Sequence, residues 1–117
     1  MTANVVLIGY TCAGKTTVGA RVAQHLGRPH LDVDAIIEQR LGPVAAYIER
    51  HGMPAFRTAE RAFLREQLPA SGAVISAGAG TVLPPGTRAL LCTGARVFFL
   101  DVPPAVLAAR LAALPAD

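Results

Sequence analysis

Residues 9–16 read Gly-Tyr-Thr-Cys-Ala-Gly-Lys-Thr and follow the apolar run Val5-Val6-Leu7-Ile8. The segment satisfies G-x-x-x-x-G-K-[ST] at every fixed position, and the run before it has the length and branching of a buried strand. Glycines let the chain turn tightly enough for several backbone N–H groups to face the same phosphate oxygens. Lys15 adds a mobile positive charge, Thr16 offers a hydroxyl to Mg²⁺, and the helix that follows aims the positive end of its dipole at the same point. A strand, a phosphate-binding loop and a helix in this order commit the chain to an α/β fold.

The rest of the sequence continues the alternation. Thr16–Leu26 reads as a helix with Val18, Val22 and Leu26 on one face, closed by Gly27. Leu31–Val33 is a short second strand, and Asp34 begins a helix that runs to the Gly42-Pro43 break. Val44–Arg50 is helical up to His51-Gly52, and Pro54 suits the first turn of a long helix carrying Phe56, Ala59, Phe63 and Leu64 and stopping near Pro69. Ala73–Ala77 is a third strand, Pro84–Leu91 a short helix, Val97–Leu100 a fourth strand and Pro104–Leu114 a last, Ala-rich helix. This pattern predicts a parallel sheet of about four strands with helices on both faces in one domain, residues 1–117.

Composition narrows the class. Apolar residues make up 52% and charged residues 16% of the chain, a balance that favours a packed core over disorder. The longest apolar runs are of strand length, and the N-terminus lacks a basic-then-apolar leader, so a cytoplasmic protein away from membranes is expected. A net charge of +3 is spread without a dense basic cluster. Arg57, Arg61 and Arg65 recur at i, i+4 and i+8, a stripe that a solvated helix face explains better than nucleic acid does. Cys12 and Cys92 form no metal motif, and His25, His30 and His51 share no ligand spacing.

In open parallel sheets ligands sit beyond the carboxyl ends of the strands, so the residues just past each strand are the candidates. Asp32 and Asp34 lie at the end of the second strand. Alternation sends their carboxylates in different directions, one suited to the water shell of Mg²⁺ and the other to accepting a proton from an attacking hydroxyl. Helix capping by Asp34 explains that residue equally well. Arg57 presents a planar, permanently charged fork for a carboxylate, with Glu60 one turn on to fix it; an exposed i,i+3 ion pair is the competing reading. Gly78-Ala79-Gly80 lets backbone approach a ligand closely, as would any tight strand-to-helix turn. Cys12 near a helix N-terminus is either a reactive thiol or a small residue filling the loop, and Tyr47 and Phe56 line a pocket or pack the core.

The phosphate loop, Asp32-x-Asp34, Gly52-x-x-x-Phe56-Arg57-x-x-Glu60 and Gly78-Ala79-Gly80, in this order, resemble the shikimate kinase family from Val5 to about Arg110. The resemblance implies a P-loop fold like that of the nucleoside-monophosphate kinases and ATP-dependent phosphorylation of the shikimate 3-hydroxyl, a step towards chorismate and the aromatic amino acids. It implies that Cys12, Ala13, Gly14, Lys15, Thr16 and Thr17 hold the ATP phosphates, with Lys15 stabilising the transferred group. Thr16 and Asp32 then serve Mg²⁺, Asp34 binds the ring hydroxyls and orients the attacking one, Arg57 pairs with the shikimate carboxylate, and Gly78, Ala79 and Gly80 complete the pocket. Other small-metabolite kinases, such as one resembling gluconate kinase, and a non-catalytic nucleotide-binding module are the alternatives.

Three features depart from the family pattern. Cys12 stands where the loop often has glycine, and Ala79 replaces the middle glycine of a triplet, which strains the pocket if that position needs positive φ. Shikimate kinases also continue past the helix after strand four into an arginine-bearing lid, another substrate-binding arginine, a fifth strand and a closing helix. Here the sequence stops at Pro115-Ala116-Asp117. The expectations are therefore a sheet lacking its last strand and helix, an exposed apolar strand edge, and nucleotide binding with weak turnover. A monomer is expected unless a partner covers that part.

Overall fold

The computed structural model describes residues 3–9, 15–69, 71–100, 105, 106 and 109, with backbone alone for Lys15, Thr16, Ala79 and Val82. Its elements run β1 (Val5–Gly9), α1 (Lys15–Leu26), β2 (His30–Asp32), α2 (Val33–Leu41), α3 (Val44–His51), α4 (Met53–Gln67), β3 (Val74–Gly78), a 3-10 helix (Ala79–Val82), α5 (Pro85–Cys92) and β4 (Arg96–Phe99). The four strands form one parallel sheet in the order β2-β3-β1-β4. Val5 pairs with Val74 and Gly9 with Gly78, so β1 and β3 end side by side, and Asp32 ends β2 opposite Ser76.

Alternation along the strands divides the core between two faces. Val6, Ile8, Ile75 and Ala77 point to one face, where they meet Val33 and Ile37 of α2, Phe56, Phe63 and Leu64 of α4, and Leu91 of α5. Val5, Leu7 and Val74 point to the other, where Ala23 of α1 covers them with the half-buried Val22. Helices therefore cover both faces, as the sequence pattern predicts.

On the α1 face a polar pair lies within the interface, with His30 Nε2 and Ser76 Oγ 2.9 Å apart. Gly19 makes room for it. A Cβ there would run into Ser76 Oγ and lie 2.6 Å from His30 Nε2, so glycine sets how closely α1 approaches the sheet. Gly27 closes α1 at φ +65°, with Gly27 N–H donating to the Gln24 carbonyl and Arg28 N–H to that of Ala23. This pattern satisfies carbonyls that the helix end leaves over.

The boundaries differ from the sequence pattern mainly by one residue, and the causes are local. β2 ends at Asp32 instead of Val33 because Asp32, at φ −96° and ψ 106°, is the N-cap of α2: its Oδ1 accepts from Ala35 N–H at 3.1 Å. The cap is thus Asp32 and not Asp34. β3 reaches Gly78, and the residues after it wind into a 3-10 helix that the glycine-rich composition did not reveal. Of the last Ala-rich helix, Ala105, Val106 and Ala109 are helical and the remainder lies outside the described residues.

β4 is one edge of the sheet and β2 the other, and Val97, Phe98 and Phe99 of β4 are 43%, 50% and 55% exposed. This matches the expected apolar edge. No helix among the described residues is long and apolar enough to cross a membrane.

Candidate active site

The carboxyl ends of β1 and β3 open into a cavity of about 400 Å³. Ile37, Val44, Ile48, Met53 and Phe56 give it an apolar wall, and Asp34, Glu38, Arg57 and Glu60 bring charge to it beside Gly9, Gly78 and Gly80. A larger groove of about 830 Å³ runs between α1 and β4, but Val5, Leu7, Val18, Val22, Leu26 and Phe98 make it mostly apolar. A few convergent polar groups in an apolar cleft are the usual form of a small-molecule site, so the first cavity and not the larger one is the candidate site.

Each polar group is placed by the element that carries it. Asp34 sits in the first turn of α2, two residues after the Asp32 cap. Its carboxylate lies against the end of β3, where a Cβ added to Gly78 would be 3.1 Å from Asp34 Oδ2 and 3.6 Å from Oδ1. Gly78 has φ −73°, so it is required for the close approach and not for a left-handed turn. Gly80 lies beside Arg57 less tightly: its added Cβ would be 3.4 Å from Arg57 Nη2, ordinary contact distance. The Gly-rich turn therefore backs both the carboxylate and the guanidinium.

Arg57 Nη1 donates to Glu60 Oε1 at 2.8 Å. This is not the exposed pair that i,i+3 spacing also allows, because Glu60 is 2% exposed. Its second oxygen, Oε2, accepts from Thr81 Oγ1 at 3.3 Å, and Thr81 is itself buried. Arg57 also lies over the Phe56 ring, with Cζ 5.4 Å from the centroid. Its position is thus fixed by a buried carboxylate and an aromatic face, while part of the guanidinium still faces the cavity.

The sequence model of the family described as Shikimate kinase matches residues 11–116. The chain belongs to the shikimate kinase family. It is 39% identical over 109 residues to the shikimate kinase of Enterococcus faecalis, covering 92% of this chain and 64% of that protein. Among solved structures it superimposes on shikimate kinase from Acinetobacter baumannii in complex with shikimate with a TM-score of 0.84 and 33% identity, covering 94% of this chain and 62% of that one. Shikimate kinase from Bacteroides thetaiotaomicron gives a TM-score of 0.87 and 33% identity over 97% of this chain and 65% of that one. The chain thus spans just under two thirds of the length of these relatives.

Within this shikimate kinase fold the structure gathers Asp34, Arg57, Gly78 and Gly80 around one cavity. Asp32 stands at the end of β2, where its carboxylate caps α2. Cys12, Ala13 and Gly14 lie outside the described residues; Lys15 and Thr16 open α1, followed by the exposed Thr17. Ala79 begins the 3-10 helix, whose right-handed backbone any L residue adopts, so the strain of an alanine at positive φ does not arise. Phe56 does both things weighed for it, packing in the core and walling the cavity; Tyr47 packs against the core, tilts onto the exposed His51 ring at 4.6 Å and lines a separate hollow of about 600 Å³. Arg61 and Arg65 are exposed, so the arginine stripe divides into one cavity-lining residue and two solvated ones. Sequence reasoning missed Thr81, which carries no motif of its own; the only signal was its place directly after the Gly-rich turn.

Proposed function

We propose that this protein carries out the phosphoryl transfer of its family, from ATP to the 3-hydroxyl of shikimate, giving ADP, shikimate 3-phosphate and a proton. The observation that carries the reading is the convergence of Asp34 and Arg57 on one cavity, each set against a glycine of the same turn. A hydroxylated ring with one carboxylate fits that pair: the guanidinium takes the carboxylate, and Asp34 takes a ring hydroxyl. As the 3-oxygen forms its bond to the γ-phosphorus and the bond to the ADP oxygen breaks, Asp34 accepts the hydroxyl proton.

The ATP phosphates belong to residues 12–17, at the N-terminus of α1. No acidic side chain stands in the first turn of α1, so the helix dipole meets an anion without repulsion from that turn. Lys15 stabilises charge on the transferred group. Thr16 and Asp32 offer the hard oxygen donors that Mg²⁺ prefers, Asp32 through water given that its Oδ1 already caps α2. When bound, Mg²⁺ supplies charge neutralisation at the phosphates. What the chain's own residues do is position the two substrates, the largest part of catalysis in phosphoryl transfer. The reaction is proposed to run in the cytoplasm, where ATP is at hand.

A coupled ADP-release assay with shikimate, gluconate or no acceptor tests this reading. ADP release that depends on shikimate is expected. Release that depends on gluconate instead moves the protein to another small-metabolite kinase, and ATP binding with no acceptor dependence makes it a nucleotide-binding module.

A further inference from the structure

The buried network behind Arg57 contains one group that the phosphoryl-transfer reading does not use. Glu60 is 2% exposed, and its two oxygens have different partners: Oε1 accepts from Arg57 Nη1 and Oε2 from Thr81 Oγ1. A glutamate side chain turns easily about its last torsion, so a single partner leaves the plane of the carboxylate undetermined. Two partners on opposite oxygens determine it. Thr81 directly follows Gly80, which lies beside the same guanidinium: a Cβ added to Gly80 would be 3.4 Å from Arg57 Nη2. Consecutive residues of one 3-10 helix therefore hold the same guanidinium, Gly80 as a wall and Thr81 through Glu60.

We infer that Thr81 is a positioning residue for carboxylate recognition: by fixing the plane of Glu60 it fixes the plane of the Arg57 fork. The inference rests on the proposed role of Arg57 towards shikimate. Planar, two-point recognition of a carboxylate depends on orientation far more than recognition by a point charge does. Thr81 thus contributes to selecting a flat carboxylate over an uncharged ester without touching either. Removing the hydroxyl also leaves a buried carboxylate oxygen short of a donor, which loosens the pair further.

Calorimetric titrations of the whole chain, the Thr81→Val variant and the Thr81→Ser variant with shikimate, shikimate methyl ester and ATP provide the test. Thr81→Val should weaken shikimate binding on the order of tenfold, the worth of one hydrogen bond to a charged group. Binding of the methyl ester and of ATP should be unchanged, and Thr81→Ser, which keeps the hydroxyl, should restore shikimate binding. Equal loss for shikimate and its ester, or equal loss in the serine and valine variants, overturns the inference in favour of simple packing. A second readout needs no ligand: ¹⁵N spectra of the Arg57 guanidinium should show restricted rotation in the parent and in Thr81→Ser, and averaging in Thr81→Val. Restricted rotation in all three overturns the positioning role even if shikimate binds. Restricted rotation that gives way to averaging only in Thr81→Val, in a protein that does not bind shikimate, keeps the positioning role and rejects the substrate.

Discussion

The two sides of this sheet are built to different standards. On the β2–β3 side, β3 runs between two strands with Val74, Ile75, Ser76 and Ala77 all fully buried, and α2, α4 and α5 close over one face. On the β4 side the strand lies at the edge, and three consecutive large apolar side chains are 43–55% exposed beside a groove of about 830 Å³. Both stretches are apolar in sequence. The difference lies in what covers them, and the side that is covered is the one that carries Asp34, Arg57, Glu60 and Thr81. A site that must hold a guanidinium in one plane needs rigid packing behind it, and the described residues supply that packing only on the β2–β3 side.

The largest expected effect separates the two sides by stability. Ile75→Ala should cost about 2–5 kcal/mol, because the deletion leaves a cavity in a site that packs on all sides. Phe98→Ala should cost less than about 1 kcal/mol, since the ring already meets water over half its surface. Urea unfolding midpoints at unchanged slope measure both. Similar losses at the two positions would show that β4 is covered in solution and would break the contrast.

A smaller effect sharpens the same contrast through chemistry. Cys92 ends α5 and packs against the covered core, and burial pushes its thiol above the ordinary cysteine range despite the opposing pull of Arg88. A raised value means less thiolate at any given pH below it. Alkylation of Cys92 should therefore be slower near neutral pH than that of a short cysteine peptide, and should catch up as pH rises through the shifted value. Peptide mapping after timed iodoacetamide treatment reads this out residue by residue. Equal rates at pH 8 would mean that the α5 end of the core is as open as β4.

Much of this was legible in the sequence because it rests on local rules. Val5–Ile8 before a glycine loop, the Gly42-Pro43 break and Pro54 at a helix start are each decided by a few neighbouring residues. What escaped depends on distant contacts. The i,i+3 spacing of Arg57 and Glu60 looks the same on a wet helix or a dry one, and only the 3-10 helix after β3 buries Glu60 and supplies Thr81. Asp32 and Asp34 are both good caps by type, and the end of β2 decides between them. The openness of β4 is likewise a statement about neighbours and not about its own residues.

Titration of the ¹⁵N-labelled chain with shikimate tests the assignment of function to the covered side most directly. The expected result is saturable shift changes at Asp34, Arg57, Gly78 and Gly80, lost in Arg57→Ala, with the resonances of Val18, Val22 and Phe98 in the larger groove unmoved. Changes confined to that groove, or no saturable change at either place, would contradict it.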